Sequence, residues 1–154
     1  MGRVRVSGLK FRGSKESVFS ERRSKFAVDT NVFIYLRSTD YPVKCNKAVE
    51  LIKLSPVVSS QVISEYLNIS RRLFKYPKQI ILEICLSDLD GCLVQPVTFT
   101  TLQRAKTLIN RYDFSLFDSI IVASALEADC NTLYSEDLHH GLIVEKQLKI
   151  INPF

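Results

Sequence analysis

The chain contains no uninterrupted apolar run of membrane-spanning length, which argues against a helical membrane anchor. Its N-terminus lacks the apolar core of a secretion signal, so the expectation is a cytoplasmic protein. The opening MGRVRV places Val6 where a myristoylation signal wants Ser or Thr. Four cysteines (Cys45, Cys85, Cys92, Cys130) form no CxxC pair, and the two histidines, His139 and His140, are adjacent. Sequence neighbours on a helix or strand point in different directions, so no zinc site is indicated. Reduced, mostly buried thiols are expected. There is no internal repeat and no low-complexity tract.

What is present is a chain of 154 residues with 46% hydrophobic content, ordinary for one globular domain with a real core. The net charge of +5 is unevenly spread. Residues 1–25 carry eight Lys/Arg against two Asp/Glu, whereas residues 26–154 carry thirteen against fourteen. The basic character therefore belongs to the N-terminal stretch alone, and the remainder is not a basic nucleic-acid platform of the usual sort. Residues 1–25 show no sustained periodicity and read as a flexible arm. Such an arm is either an electrostatic tether to RNA or DNA, or a poorly ordered extension or misassigned start.

From Lys25 the texture changes. Phe26-Ala27-Val28 is a short apolar strand ending at Asp29, and Thr30-Asn31 turns it into the helix NVFIYLR. Ala48, Leu51 and Ile52 have helical spacing. A second strand covers 56–59, and Ser59 or Ser60 caps a long helix with Val62, Tyr66, Ile69 and Leu73 on its buried stripe. A helix over about 78–90 stops at Gly91. A strand over 93–97 sits at an edge because of Pro96. The next helix starts at Thr100 or Thr101, with Leu102, Ala105, Leu108, Ile109 and Tyr112 on one face. Ser115 caps the following helix through Glu127. Strands at 132–135 and 148–151 complete the series.

Strands alternating with helices imply an α/β protein, a three-layer α/β/α sandwich around a parallel sheet of about four to five strands. Ligands of such sheets bind outside the carboxyl ends of the strands. Asp29 and Asp137 both fall at such ends. Two further acids lie in apolar settings, Glu65 in SSQVISEYL and Asp118 in SLFDSIIVASAL. A carboxylate beside a buried stripe loses hydration and needs compensation. A divalent cation compensates several at once.

Each acid also has a plain structural reading. Asp29 suits a helix N-cap. Glu65 shares a helix face with Val62 and Ile69, yet it could be a rim residue paired with Arg71 or Arg72. Asp118 fits an S-x-x-D capping box with Ser115, but it also heads the most apolar helix, along its buried face. Asp137 suits a turn after a strand, with Glu136 as a rival carboxylate and Asp113 as another in the loop before the Asp118 helix.

Four stretches in order then carry a resemblance: FAVDTN before an apolar helix, VVSSQVISEYLN, SLFDSIIVASALEADC, and TLYSEDLHHG with the ending INPF. From Phe26 to the C-terminus the chain resembles the PIN domain, above all the VapC-type toxin ribonucleases of prokaryotic toxin–antitoxin pairs. The resemblance implies that Asp29, Glu65 and Asp118 are the principal acids and Asp137 the fourth. It also implies supporting roles for Thr30, Asn31 and Ser135. Residues 1–25 have no counterpart in the minimal family domain.

The activity so implied is metal-dependent hydrolysis of RNA phosphodiester bonds, with Mg²⁺ or Mn²⁺ as cofactor. Both ions favour hard oxygen ligands and retain several waters. Arg37, Lys44, Arg71 and Arg72 are the candidate RNA-binding cations, and Tyr35 and Tyr41 are candidate stacking partners. A cognate antitoxin occupying the groove and a homodimer are expected by resemblance. The competing class is a catalytically inactive PIN-like module for RNA binding or protein interaction. A response-regulator-like receiver is disfavoured, since Ala27-Val28 precedes Asp29 without a second acid.

Overall fold

The computed structural model describes residues 25–154. Apart from Lys25, the arm inferred for residues 1–25 lies outside that range. The described chain runs β1 (Phe26–Val28), α1 (Thr30–Tyr35), α2 (Pro42–Lys53), β2 (Val57–Ser59), α3 (Ser60–Phe74), α4 (Lys78–Asp88), β3 (Leu93–Gln95), α5 (Phe99–Tyr112), α6 (Leu116–Glu127), β4 (Thr132–Tyr134), β5 (Ile143–Val144) and β6 (Leu148–Ile151). The architecture is the expected α/β sandwich, a central, mostly parallel sheet flanked by helices.

The six strands are ordered β3-β2-β1-β4-β6-β5. All pairings are parallel except that of β5 with β6. β1 lies between β2 and β4, with Ala27 opposite Val57 and Leu133. The chain reverses its direction of progress across the sheet between β3 and β4, so the carboxyl ends of β1 and β4 flank the reversal point where α/β proteins hold ligands.

The core is built from strand residues buried on both faces and one helix buried all round. Val28, Val58, Leu133, Leu148 and Ile150 are fully enclosed. In α6 every residue from Ser119 to Leu126 is buried. A helix apolar around its whole circumference belongs at the centre of the packing. Truncating Leu133 to Ala would cost about 2–5 kcal/mol, the usual penalty for a cavity in such a core. All four cysteines are free, with Cys85 and Cys130 buried and Cys45 and Cys92 half-buried.

Several local expectations are met. Ser59 caps α3 by accepting from the Val62 amide at 3.2 Å, and Ser115 caps α6. Gly91 adopts φ +80° just past α4, and the short β3 is an edge strand ending before Pro96.

Others are corrected. Leu73 is 60% exposed and Ile69 only half-buried, so the enclosed stripe of α3 is Val62, Tyr66 and Ser70. Helix α5 begins earlier, capped by Thr98 in a reciprocal box with Thr101. Its buried face is Thr101, Ala105 and Leu108, while Leu102 is exposed. The last turn of α3 is exposed at Arg71, Arg72 and Leu73, and the enclosed face of α5 runs through Thr101 rather than Leu102. Strand β5 was not anticipated. It is two residues long, and its turn to β6 uses Glu145 and Lys146 at φ +50° and +57°, without the Gly or Asn that usually marks such a turn.

Candidate acidic site

Asp29 leaves β1 in an extended conformation and caps α1, its Oδ1 accepting from the Thr30 amide at 2.6 Å. Its Oδ2 accepts from Ser135 Oγ at 2.6 Å and from Asn31 Nδ2 at 3.3 Å. The residue is 4% exposed. Burial pushes the Asp29 carboxyl up to about 6, while the Ser135 and Thr30 hydrogen bonds pull it down and the charges of Asp118 and Glu65 push it further up. Asp29 thus feels the charge of two of the other three expected acids.

Glu65 lies in the second turn of α3 and is half-buried. Thr30 Oγ1 donates to its Oε2 at 2.8 Å, and Gln61 Nε2 donates to its Oε1 at 2.9 Å. It makes no pair with Arg71 or Arg72. Gln61 was not anticipated. It stands one helical turn before Glu65, and that i, i+4 spacing was the available signal.

Asp118 sits in the first turn of α6, half-buried rather than on the enclosed face. Its amide donates to Ser115 Oγ at 3.3 Å, and the same hydroxyl donates to Asp118 Oδ2 at 2.6 Å. Asp137 is exposed and is reached by Asn31 Nδ2 at 3.4 Å. Ser135 Oγ accepts from the Asp137 and Leu138 amides, each at 3.2 Å, so one buried hydroxyl ties the Asp137 loop to Asp29.

Among the described residues no Lys or Arg pairs with any of these four acids. Nor are three His, Cys, Asp or Glu side chains there gathered closely enough to hold a metal as they stand. Neutral donors occupy the carboxylates instead: Ser135 and Asn31 on Asp29, Thr30 and Gln61 on Glu65, Ser115 on Asp118. Asn31 Oδ1 is buried with no donor, an acceptor left over beside the acids.

The rival carboxylate Glu136 is otherwise engaged, pairing with Lys44 and accepting from Tyr35 Oη at 2.6 Å. Lys44 also lies against the Tyr35, Tyr41 and Phe154 rings. Arg37 pairs with Asp88 at 2.7 Å. Two of the four candidate RNA-binding cations are therefore already neutralised, whereas Arg71 and Arg72 are exposed and make no ion pair among the described residues, Arg71 donating only to Asn68 Oδ1 at 3.4 Å. Tyr35 packs edge-on to Tyr41 and Phe154, as rim packing would have it. Asp113 ends α5 in the left-handed conformation, at φ +56° and exposed.

A parallel sheet with a buried aspartate at the end of its central strand, and further acids on the neighbouring helices, defines a class of α/β domain. The PIN domain family matches residues 26–142, and the chain belongs to that family. No curated protein matches it in sequence. Among solved structures it is similar to a toxin–antitoxin complex from Klebsiella pneumoniae, with a TM-score of 0.63 and 17% identity over 85% of this chain and 98% of that one. It is also similar to Mycobacterium tuberculosis VapC20, a sarcin-ricin loop cleaving toxin, with a TM-score of 0.60 and 19% identity over 73% of this chain and 90% of that one. At such identities the likeness is one of fold.

Proposed function

We propose that the protein is a metal-dependent endoribonuclease, the toxin of a toxin–antitoxin pair. The observation that carries this reading is Asp29: a carboxylate 4% exposed, raised to about 6, with Asp118 and Glu65 close enough to add to the shift. Only neutral donors compensate it among the described residues. A carboxyl perturbed by burial and by neighbouring charges, at the strand end where α/β sheets bind ligands, is a functional-site candidate.

The donor set suits Mg²⁺ or Mn²⁺, being oxygen throughout, with the buried Asn31 Oδ1 still lacking a partner. Asp29, Glu65 and Asp118 would hold the ion, with Asp137 at a second ion or its water. A bound ion would supply a water of lowered pKa and charge stabilisation for phosphodiester hydrolysis. Ser135 and Asn31 orient Asp29, and Thr30 and Gln61 orient Glu65, which would direct the attacking water. No side chain is required as a covalent nucleophile.

RNA as substrate, a cognate antitoxin as partner, a homodimer and a cytoplasmic setting belong to the same reading. The two fold neighbours support it, one within a toxin–antitoxin complex and the other a sarcin-ricin loop cleaving toxin. No described helix is long and apolar enough to cross a membrane.

One observation favours a second reading. The acids are satisfied by neutral donors and no ready ligand cluster exists among the described residues, as suits a PIN-like module without catalysis. The deciding experiment is incubation of total RNA with purified, antitoxin-free protein in Mg²⁺ or Mn²⁺, beside EDTA and the Asp118→Asn variant. Cutting that needs the metal and is lost in the variant supports the nuclease. Intact RNA in every lane supports the inactive module.

A further inference from the structure

Helix α3 carries Glu65 near its start and ends in a different chemistry. Its last turn and the link to α4 read Arg71-Arg72-Leu73-Phe74-Lys75-Tyr76-Pro77-Lys78, without an acid. Arg71, Arg72, Lys75 and Lys78 are all exposed, and none is ion-paired among the described residues. Lys75 closes the helix in the left-handed conformation, which turns the chain sharply there. Phe74 and Tyr76, on either side of that turn, stack with ring centroids 6.0 Å apart and planes within 18°. Tyr76 is 54% exposed.

We infer that this α3–α4 hairpin binds single-stranded RNA, with a base stacking on Tyr76 and the four cations meeting phosphates. A nearly parallel aromatic pair is a preformed platform, and every base has a face to lay on it. Clustered cations beside it track the backbone without reading sequence. Phe74 lies about 14 Å beyond Glu65 along the helix axis. The hairpin is thus a second contact, outside the acidic site, for a strand whose cleavage is proposed above, and in that sense it rests on that proposal. It answers a need of that site: the acids repel a polyanion, and the other two candidate cations, Arg37 and Lys44, are already paired.

Exposed Leu82 and Leu86 on α4 make a protein partner the competing occupant. The charge of the hairpin favours RNA.

The test is fluorescence anisotropy with a short fluorescein-labelled oligouridine in EDTA, on full-length Asp29→Asn protein so that cleavage plays no part. Tyr76→Ala in that background is expected to weaken binding at least about fivefold. Arg72→Gln with Lys75→Gln is expected to lower the slope of log affinity against log salt by about 0.7 for each cation removed. These side chains are exposed, and circular dichroism melts check that the variants stay folded. Unchanged affinity and slope, or no binding by the parent protein, would overturn the inference. So would variants that bind RNA normally but change the sedimentation coefficient, since the hairpin would then be a protein interface. Protein that binds through the hairpin yet never cuts RNA sinks the nuclease and keeps this contact. Protein that cuts RNA with a dispensable hairpin does the reverse.

Discussion

Ser135 donates a 2.6 Å hydrogen bond to Asp29, a residue 106 positions earlier in the chain, and accepts two backbone amides from the loop that follows it. This buried hydroxyl couples the end of β1 to the end of β4. In Ser135→Ala, the Asp29 carboxylate loses a donor and two amides lose their acceptor. Unsatisfied buried groups cost about 1–3 kcal/mol. Urea unfolding at neutral pH is expected to show a loss in that range, and an unchanged midpoint would refute the bridging role.

Asp29 makes stability depend on pH in a stated direction. Its carboxyl is raised from 3.8 to about 6, so the folded state holds the proton more tightly than the unfolded chain. The associated stability is fully present below pH 3.8 and is lost as pH rises through about 6. The loss is on the order of 3 kcal/mol. Asp29→Asn removes the titration, so in EDTA the variant should gain on wild type across that window. Parallel pH profiles for the two proteins would show that the carboxyl is not perturbed.

Divalent ions should reverse that loss. A ligand bound only by the folded state raises the melting temperature by mass action. Mn²⁺ is expected to raise the melting temperature of wild type, and to do so much less for Asp29→Asn or Asp118→Asn. Equal shifts in all three proteins would remove these acids from ion binding. Both variants should fold and lose RNA cleavage.

Thr30 holds Glu65 through its hydroxyl at 2.8 Å. Thr30→Val keeps the shape and deletes the donor. Groups that orient a metal ligand typically matter about 10–100-fold. Ion affinity measured by calorimetry, together with the cleavage rate, should fall by that factor with the fold unchanged. A variant equal to wild type in both would make the contact incidental.

Removing residues 1–24 should leave a cooperatively unfolding domain, because residues 26–154 enclose a hydrophobic core of their own. If the arm is an electrostatic tether, RNA affinity falls and its salt dependence flattens. Loss of folding on truncation would show that the N-terminal stretch is part of the domain.

Most of the element order was legible because its signals are local. Ser59 and Ser115 cap their helices as their positions suggest, and α6, the most apolar helix of the chain, is buried from Ser119 to Leu126. Strand β5 was not legible, since two residues give no periodicity and Glu145-Lys146 is an unusual turn pair. The fates of Arg37 and Lys44 were hidden too. Their partners, Asp88 and Glu136, are 51 and 92 residues away, and no spacing rule links them.

The sequence by itself determined which carboxylates end strands or head helices, because strand ends, caps and apolar stripes are set by neighbours within a few residues. Only the tertiary structure decided what each carboxylate meets. Placing β4 beside β1 sets Ser135 against Asp29, and packing α1 near α3 sets Thr30 against Glu65. Hydrogen bonds depend on fractions of an ångström between segments far apart in the chain, and sheet order, not local pattern, fixes those distances.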